Sequence, residues 1–357
     1  MKPMNYTIAA PATAADVKED LLRLLRSNFP WGHDADVWYR WGYEQSPFPP
    51  NMCWLVETEA RERVGFTALM PRRMKVGEQV CETGQAANLN VAAEHRNALA
   101  AVKLQRAVVS HVERSEMALA FGITKNAVAV LSRAGYRDLG GFSRWIKFFR
   151  TEHKLARWIP WKWPRRVAAA IVDLGLRLRA AETFHRLPHG WQALFDPPFD
   201  DRFDDLWRTA SVNFGVATER TSEYLRWRFG GDPQLQYRVL AVQDADGRLR
   251  GSAIYLFPEP GEPLPLGAII DLLPTDAEAL DTLLAALCRH LRNAGAVGVQ
   301  TMYFGSPLVE AGLNRFQFFR RDSEFRLLAY LHPRLKDHQA ELLDPSRWHV
   351  TDAEAKF

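Results

Sequence analysis

Displaced against itself by 186 residues without a gap, the chain meets its own pattern. Arg40 and Trp41 fall on Arg226 and Trp227, Pro47 on Pro233, Val56 on Val242 and Gly65 on Gly251. The stretches "WYRWGYEQSPF" and "YLRWRFGGDPQ" are each followed by a strand-like run ("MCWLVET", "YRVLAVQD"), a polar turn ("EARER", "ADGRLR") and a second strand ("VGFTALM", "GSAIYLF"). Element order recurs as well as letters, which reads as a duplication. The 357 residues suit two units of roughly 150 residues each.

Within the first half, "YTIAA" reads as a starting strand and "DVKEDLLRLLRSNF" as a helix with Leu21, Leu22, Leu24 and Leu25 at helical spacing. Two strands cover residues 52 to 70, and "QVCETGQAANLNV" is another. "EHRNALAAVKLQRAVVSHVERS" is a helix, "MALAFGI" a buried strand, "TKNAVAVLSRAGY" a short helix closing at Gly135, and "FSRWIKFF" a last strand. The helices come between strands while the middle is a meander. The expected class is therefore α/β with a mixed sheet, not a doubly wound nucleotide fold.

Composition removes several function classes. With 47% hydrophobic and 25% charged residues there is material for two cores. A formal charge of +4 is too mild to indicate DNA without a concentrated patch. Cys53, Cys81 and Cys288 are isolated and in no metal spacing, so they read as core thiols in a reducing compartment, and no metal site is expected. The N-terminal stretch lacks a long apolar core, and no run approaches the ~18 apolar residues of a spanning helix. The chain reads as cytoplasmic.

Between the halves, residues 151–190 form a basic connector carrying Trp158, Trp161 and Trp163. Two readings stay open. A bridging helix can pack its apolar face between the halves, or residues 154–180 can lie on the anionic inner face of a membrane, where indoles and cations are favoured.

Two segments of the first half carry a resemblance to the GNAT superfamily of acyltransferases, covering about residues 5 to 150. "VAAEHRNALAA" matches that family's V-x-P-x-x-[QR]-x-x-G-x-[GA] loop at Val91, Arg96 and Ala101, and "FGITKNAVAVLSRAGYRDLG" is similar to the stretch that ends its acyl-CoA site, with Asn126, Gly135 and Tyr136 in register. The resemblance implies tandem GNAT-like domains: an acyl-CoA-binding domain at 1–150, the connector, a degenerate second domain at 191–335, and a C-terminal tail at 336–357. It also implies that Leu89, Val91, Arg96, Asn97, Ala98, Leu99, Ala100, Ala101 and Asn126 contact the cofactor. The departures are Ala93 for the loop proline and Leu99 for its first glycine. A helix N-terminus holds phosphate through main-chain N–H groups and its dipole, neither of which needs glycine. The loop can therefore work if Leu99 points away. The second half's counterpart, "DLLPTDAEALDTLL", has four acids and no base, which repels phosphate, so no CoA is expected there.

Catalytic groups are less marked. Relatives carry a glutamate base near position 85, where this chain has Gln85, and a phenol near Leu131. Tyr136 is the candidate acid, although an aromatic after Gly135 also reads as core, and Asn126 is a candidate for orienting the cofactor or capping backbone. Strict alternation puts Gln85 on the face of Leu89 and Val91, with Glu82, Asn88 and Asn90 opposite. The resemblance implies an N-acyltransferase using acetyl-CoA or another acyl-CoA to acylate a primary amine of a small molecule, sugar or peptide, with the acceptor where the halves meet. A non-catalytic scaffold and a Fem-like aminoacyl transferase are the alternatives.

Overall fold

The computed structural model describes residues 5–28, 34–48, 50–96, 98–259, 261–262 and 264–355. The first half contains β1 (Thr7–Ile8), β2 (Ala12–Thr13), α1 (Lys18–Asn28), α2 (Ala35–Tyr39), β3 (Met52–Glu57), β4 (Arg63–Val76), β5 (Gln79–Val91), α3 (Ala98–Arg114), β6 (Leu119–Thr124), α4 (Val128–Ala134) and β7 (Arg137–Phe148). The connector holds α5 (Glu152–Leu155), α6 (Lys162–Arg179) and α7 (Ala181–Phe184). The second half contains β8 (Gln192–Phe195), α8 (Asp201–Ala210), β9 (Val216–Thr218), α9 (Ser222–Leu225), β10 (Arg238–Gln243), β11 (Leu249–Leu256), β12 (Leu266–Pro274), α10 (Ala277–Asn293), β13 (Gly298–Gly305), α11 (Pro307–Arg315) and β14 (Phe319–Leu331). The chain closes on α12 (Gln339–Leu343), β15 (Trp348–Thr351) and α13 (Asp352–Ala355).

The repeat seen in the letters is present in the elements. β3 at 52–57 and β10 at 238–243 keep the offset of 186, as do the starts of β4 and β11. From α3 and α10 to the starts of α4 and α11 the offset is 179, the second copy being shorter around its strand-to-helix loop, and between the starts of β7 and β14 it is 182. Ahead of its repeated strands each copy has a short helix, α2 or α9, that widens into a π-helical turn, Arg40–Glu44 and Arg226–Gly230. Those turns carry Trp41 and Trp227, whose rings stack with centroids 5.7 Å apart. Each indole Nε1 donates to the other tryptophan's carbonyl oxygen at 2.9 Å. The two bonds are related as by a dyad, and both donors and acceptors are buried, where an unmade bond costs most. Arg72 lies over Trp227 at 5.2 Å and Arg228 over Trp41 at 5.4 Å. Burial pushes the Arg72 pKa down to about 10, yet leaves it a cation at neutral pH.

All strands belong to one sheet with central order β3-β4-β5-β6-β14-β7-β13-β12-β11-β10. The last strands of the copies are exchanged: β14 lies between β6 and β7, and β7 lies between β14 and β13. The boundaries drawn at 150 and 191 thus separate strands that are hydrogen-bonded to one another. The connector's bridging reading also changes here, because α6 buries only Ala169 and its larger apolar residues face solvent.

The stretch read as a tail is built into the core. β15 pairs with β13 at Tyr303↔Thr351, Phe304↔Val350 and Gly305↔His349, and with β9 in parallel. Arg220, fully buried, donates through Nε to Asp271 Oδ2 at 2.8 Å and also bonds Glu354. Thr351 Oγ1 donates to Asp271 Oδ1 at 2.8 Å and the Thr351 N–H to Glu354 Oε2 at 2.9 Å. Burial alone would raise the Asp271 pKa, but the Arg220 charge and hydrogen bonds bring it below the usual value. His349 beside them stacks on Phe214 at 4.1 Å and lies 3.1 Å from the Tyr303 hydroxyl. Burial and the Arg220 charge depress its pKa to about 3, against the pull of Asp271.

Two outcomes are expected. Residues 1–150 produced alone leave the β6 edge without β14, so they should show no cooperative unfolding transition, whereas the full chain should melt as one unit by circular dichroism and calorimetry. His349 is the second case. Its folded pKa lies below the unfolded value of about 6.5, so the unfolded chain takes the proton first and stability falls as pH drops from 6.5 toward 3. Urea titrations between pH 6.5 and 5 should give His349→Asn a lower stability at neutral pH but a shallower pH slope, by at most about 1.4 kcal/mol per pH unit.

Candidate active site

The candidate site begins where two parallel strands part. β5 and β6 pair only at Gly84↔Ala120 and Gln85↔Phe121. Beyond that point β5 runs on to Val91 and β6 to Thr124 with no ladder between them. Each strand keeps its outer partner, β4 or β14, and no β5–β6 ladder uses the main-chain groups that face the gap. The apex is tight: a Cβ on Gly122 would stand 3.2 Å from Leu131 Cδ2 and 3.8 Å from the Ala86 carbonyl oxygen. Leu131, in the position where the resemblance looks for a phenol, is buried against this apex and supplies no acid.

At the open end, β5 leads through a 3₁₀ turn, Ala93–His95, into α3. Asn97 and the side chain of Ala98 lie outside the described residues. Val91, Ala100 and Ala101 are buried, and Leu89 is half-buried in the same apolar cluster. Arg96 is exposed. Leu99 is 50% exposed, so its side chain turns away from the core under α3. The first turn of α3 contains no acid. Across the gap, Lys125 directly follows β6 and is also exposed, with its Nζ 3.9 Å from Glu324, so both ends of the opening carry a cation. The Lys103 Nζ is turned to the Tyr6 carbonyl, to which it donates at 2.6 Å.

The second copy has the equivalent fork and fills it. β12 and β13 part after Ala268↔Gln300, the counterpart of Gln85↔Phe121. Farther along β13, β15 takes up the hydrogen bonds that a ligand would need. The loop before α10 is cut to Thr275 and Asp276, against residues 92–97 in the first copy. Asp276 Oδ1 accepts from the Ala279 N–H at 2.8 Å, and Glu278 stands in the first turn. A carboxylate already occupies that helix end.

The expected alternation of β5 fails midway. Asn88 has φ +54 and the register to β4 slips between Phe66 and Ala68, a bulge that turns the strand over. Ala86, Leu89 and Val91 consequently share the α3 face, while Asn90 reaches the other side and donates to Leu24 O at 3.0 Å. Gln85 is therefore on the face opposite Val91, a correction to strict parity. It is buried at the last rung before the fork, with Nε2 donating to the Glu354 carbonyl at 2.7 Å and Oε1 unpartnered among the described residues. Asn88 was not foreseen. Its Nδ2 donates to the Tyr43 hydroxyl at 2.8 Å, and the signal was an asparagine, tolerant of positive φ, inside a strand.

Of the other candidates, Asn126 is exposed in the turn after β6, where its N–H bonds Thr124 Oγ1 at 3.2 Å. Tyr136 is buried with Leu131 and Leu328 and lies edge-on to Tyr330. Its hydroxyl has no partner among the described residues, and burial pushes its pKa well above the ordinary phenol value. A cavity of about 570 Å³ lies between the β4–β5 hairpin (Lys75, Glu78, Val80) and the second half's Asp204, Trp207, Arg208 and Thr221.

No protein-family model matches the chain, and no curated protein sequence matches it. Solved structures do. A GCN5-related N-acetyltransferase from Anabaena variabilis ATCC 29413 is similar with a TM-score of 0.65 at 12% identity, over 92% of this chain and 73% of that one. A protein of Enterococcus faecalis V583 described as a probable N-acyltransferase gives 0.61 at 9% identity over the same shares. Saccharomyces cerevisiae N-myristoyltransferase with bound myristoyl-CoA gives 0.54 at 14% identity, over 92% of this chain and 80% of that one. The chain therefore has the duplicated GNAT-like fold that these N-acyltransferases share.

Proposed function

We propose that the protein is an acyl-CoA-dependent N-acyltransferase in which the first half binds the thioester. One observation carries this: of two equivalent strand forks, the second is filled by β15 and the first has no strand paired into it, with cations at its mouth. The pantetheine arm of CoA is an extended, amide-bearing chain. It can bond the free strand edges as an added strand would, while its pyrophosphate meets the start of α3 near Arg96 and Lys125. The thioester then comes to the apex near Gln85 and Gly122. Acetyl-CoA is the first donor to test. The N-myristoyltransferase fold neighbour, solved with myristoyl-CoA, makes longer acyl chains the second.

The reaction is attack of a neutral primary amine on the thioester carbonyl, loss of the CoA thiolate, and passage of the amine proton to the thiolate or to water. Gln85 cannot accept that proton, and Tyr136, with its raised pKa, holds its own. Main-chain N–H groups at the fork and close positioning carry the acceleration in this reading. In this reading the amine acceptor approaches from the seam between the halves toward the apex at Gln85.

Thermal-shift and calorimetric titration with acetyl-CoA and myristoyl-CoA decide the reading. Ligand at 100 times Kd should add about 2.7 kcal/mol of stability. Arg96→Ala should weaken binding about tenfold, with the difference shrinking as salt rises. Leu99→Gly should destabilise the apo protein by about 1 kcal/mol and leave affinity unchanged or improved. No shift with any thioester would return the protein to the scaffold alternative.

A further inference from the structure

The connector's exposed face is the largest feature that the acyl-transfer reading leaves unused. Trp163, Val167, Ile171, Leu174 and Leu178 recur on α6 at spacings of three and four, one stripe of the helix, and all five are exposed. Trp158, Trp161 and Trp163 are 77%, 73% and 76% exposed. Polar bonds pin the opposite side of α6. Asp173 Oδ1 accepts from Thr151 Oγ1 at 2.8 Å, Arg165 Nε stands 3.5 Å from Glu152, and Gln317 Nε2 donates to Arg179 O at 2.9 Å. The helix is thereby held with its apolar stripe outward.

Charge says what covers the stripe. Residues 150–179 hold eight of the 46 Lys+Arg but only two of the 42 Asp+Glu, leaving 38 basic against 40 acidic residues elsewhere. The protein's whole positive excess thus sits on this segment. Arg166 and Arg177 flank the stripe, and no acid lies on it. The bond from Gln317 brings the start of β14 alongside, adding exposed Phe319 with Arg320 and Arg321. Arg321 is close enough to Lys154 to help burial depress its pKa.

We propose that residues 154–180, extended by Phe319–Arg321, dock the protein on an anionic lipid bilayer, with α6 flat in the headgroup layer. Indoles and aliphatic side chains enter the interface while the flanking cations meet lipid phosphates. A second copy fits this face poorly, because apposed α6 helices would bring like charges together. No helix among the described residues is long and apolar enough to cross a membrane, so contact is with one leaflet. The inference is independent of the acyl-transfer reading.

The test is co-sedimentation of the full chain with phosphatidylcholine vesicles, with and without phosphatidylglycerol, together with tryptophan emission. Binding to phosphatidylglycerol vesicles should be at least about tenfold tighter than to neutral ones, and should weaken about tenfold between about 0.1 M and 1 M salt. The emission should shift to the blue on binding. Ile171→Asp with Leu174→Asp should abolish both effects while leaving the melting temperature unchanged, since both side chains are in solvent. Absence of binding to anionic vesicles at low salt would overturn the proposal, as would equal binding by the double variant. Self-association without lipid, lost in that variant, would assign the face to a second copy instead.

Discussion

The exchange of last strands is the constraint on which everything else rests. With β14 seated between β6 and β7, neither copy owns a closed sheet, and the sheet from β3 to β10 is continuous only through strands of both. The stacked, mutually bonded Trp41 and Trp227 mark the same dyad from the helical side. The exchange also explains how a strand fork survives in the centre of a large sheet. β6 is held along its other edge by β14 over the full run from Leu119 to Thr124, so it can part from β5 without fraying. Rigidity on one edge permits openness on the other.

From this near-symmetric frame, asymmetry arises by small local changes. The second copy has a two-residue loop in place of six, an aspartate cap on its helix, and a fork occupied by β15. The occupant is held by the buried set of Arg220, Asp271, Thr351 and Glu354. Removing one partner from such a set typically costs about 3–5 kcal/mol, because a charge is left uncompensated. The same segment reaches the first fork through the bond from Gln85 to Glu354 O. Residues that close one fork therefore also line the apex of the other.

Much of the fold was legible in the sequence because it is written in local pattern. The 186-residue offset, the strand–turn–strand units, the helix stop at Gly135 and the acidic helix start at Asp276 are short-range signals. Which strands become neighbours is not local. Nothing in "FSRWIKFF" or "FRRDSEFRLLAYL" announces that each will insert into the other copy. The loop at Arg96 was readable as a pattern, but whether Leu99 turns in or out was not, and only its exposure in the fold gives the direction. The face of Gln85 was not, since a single positive φ at Asn88 reverses the alternation. For α6 the amphipathic pattern was plain, but pattern gives the stripe and not its direction. Asp173 and Arg165, through Thr151 and Glu152, decide that it points outward.

Strand exchange also sets the order in which the chain can mature during synthesis. β6 and β7 are complete before residue 150, yet the strand that separates them ends at Leu331, and β15 follows at Trp348–Thr351. A ribosome adding about 5–20 residues per second leaves the first half waiting for roughly ten seconds or more with an uncovered β6 edge. The fold is thus of high contact order by construction, and its final ladders form only once nearly the whole chain has emerged. A nascent chain of this kind is a natural client for holding chaperones, whatever the finished protein does.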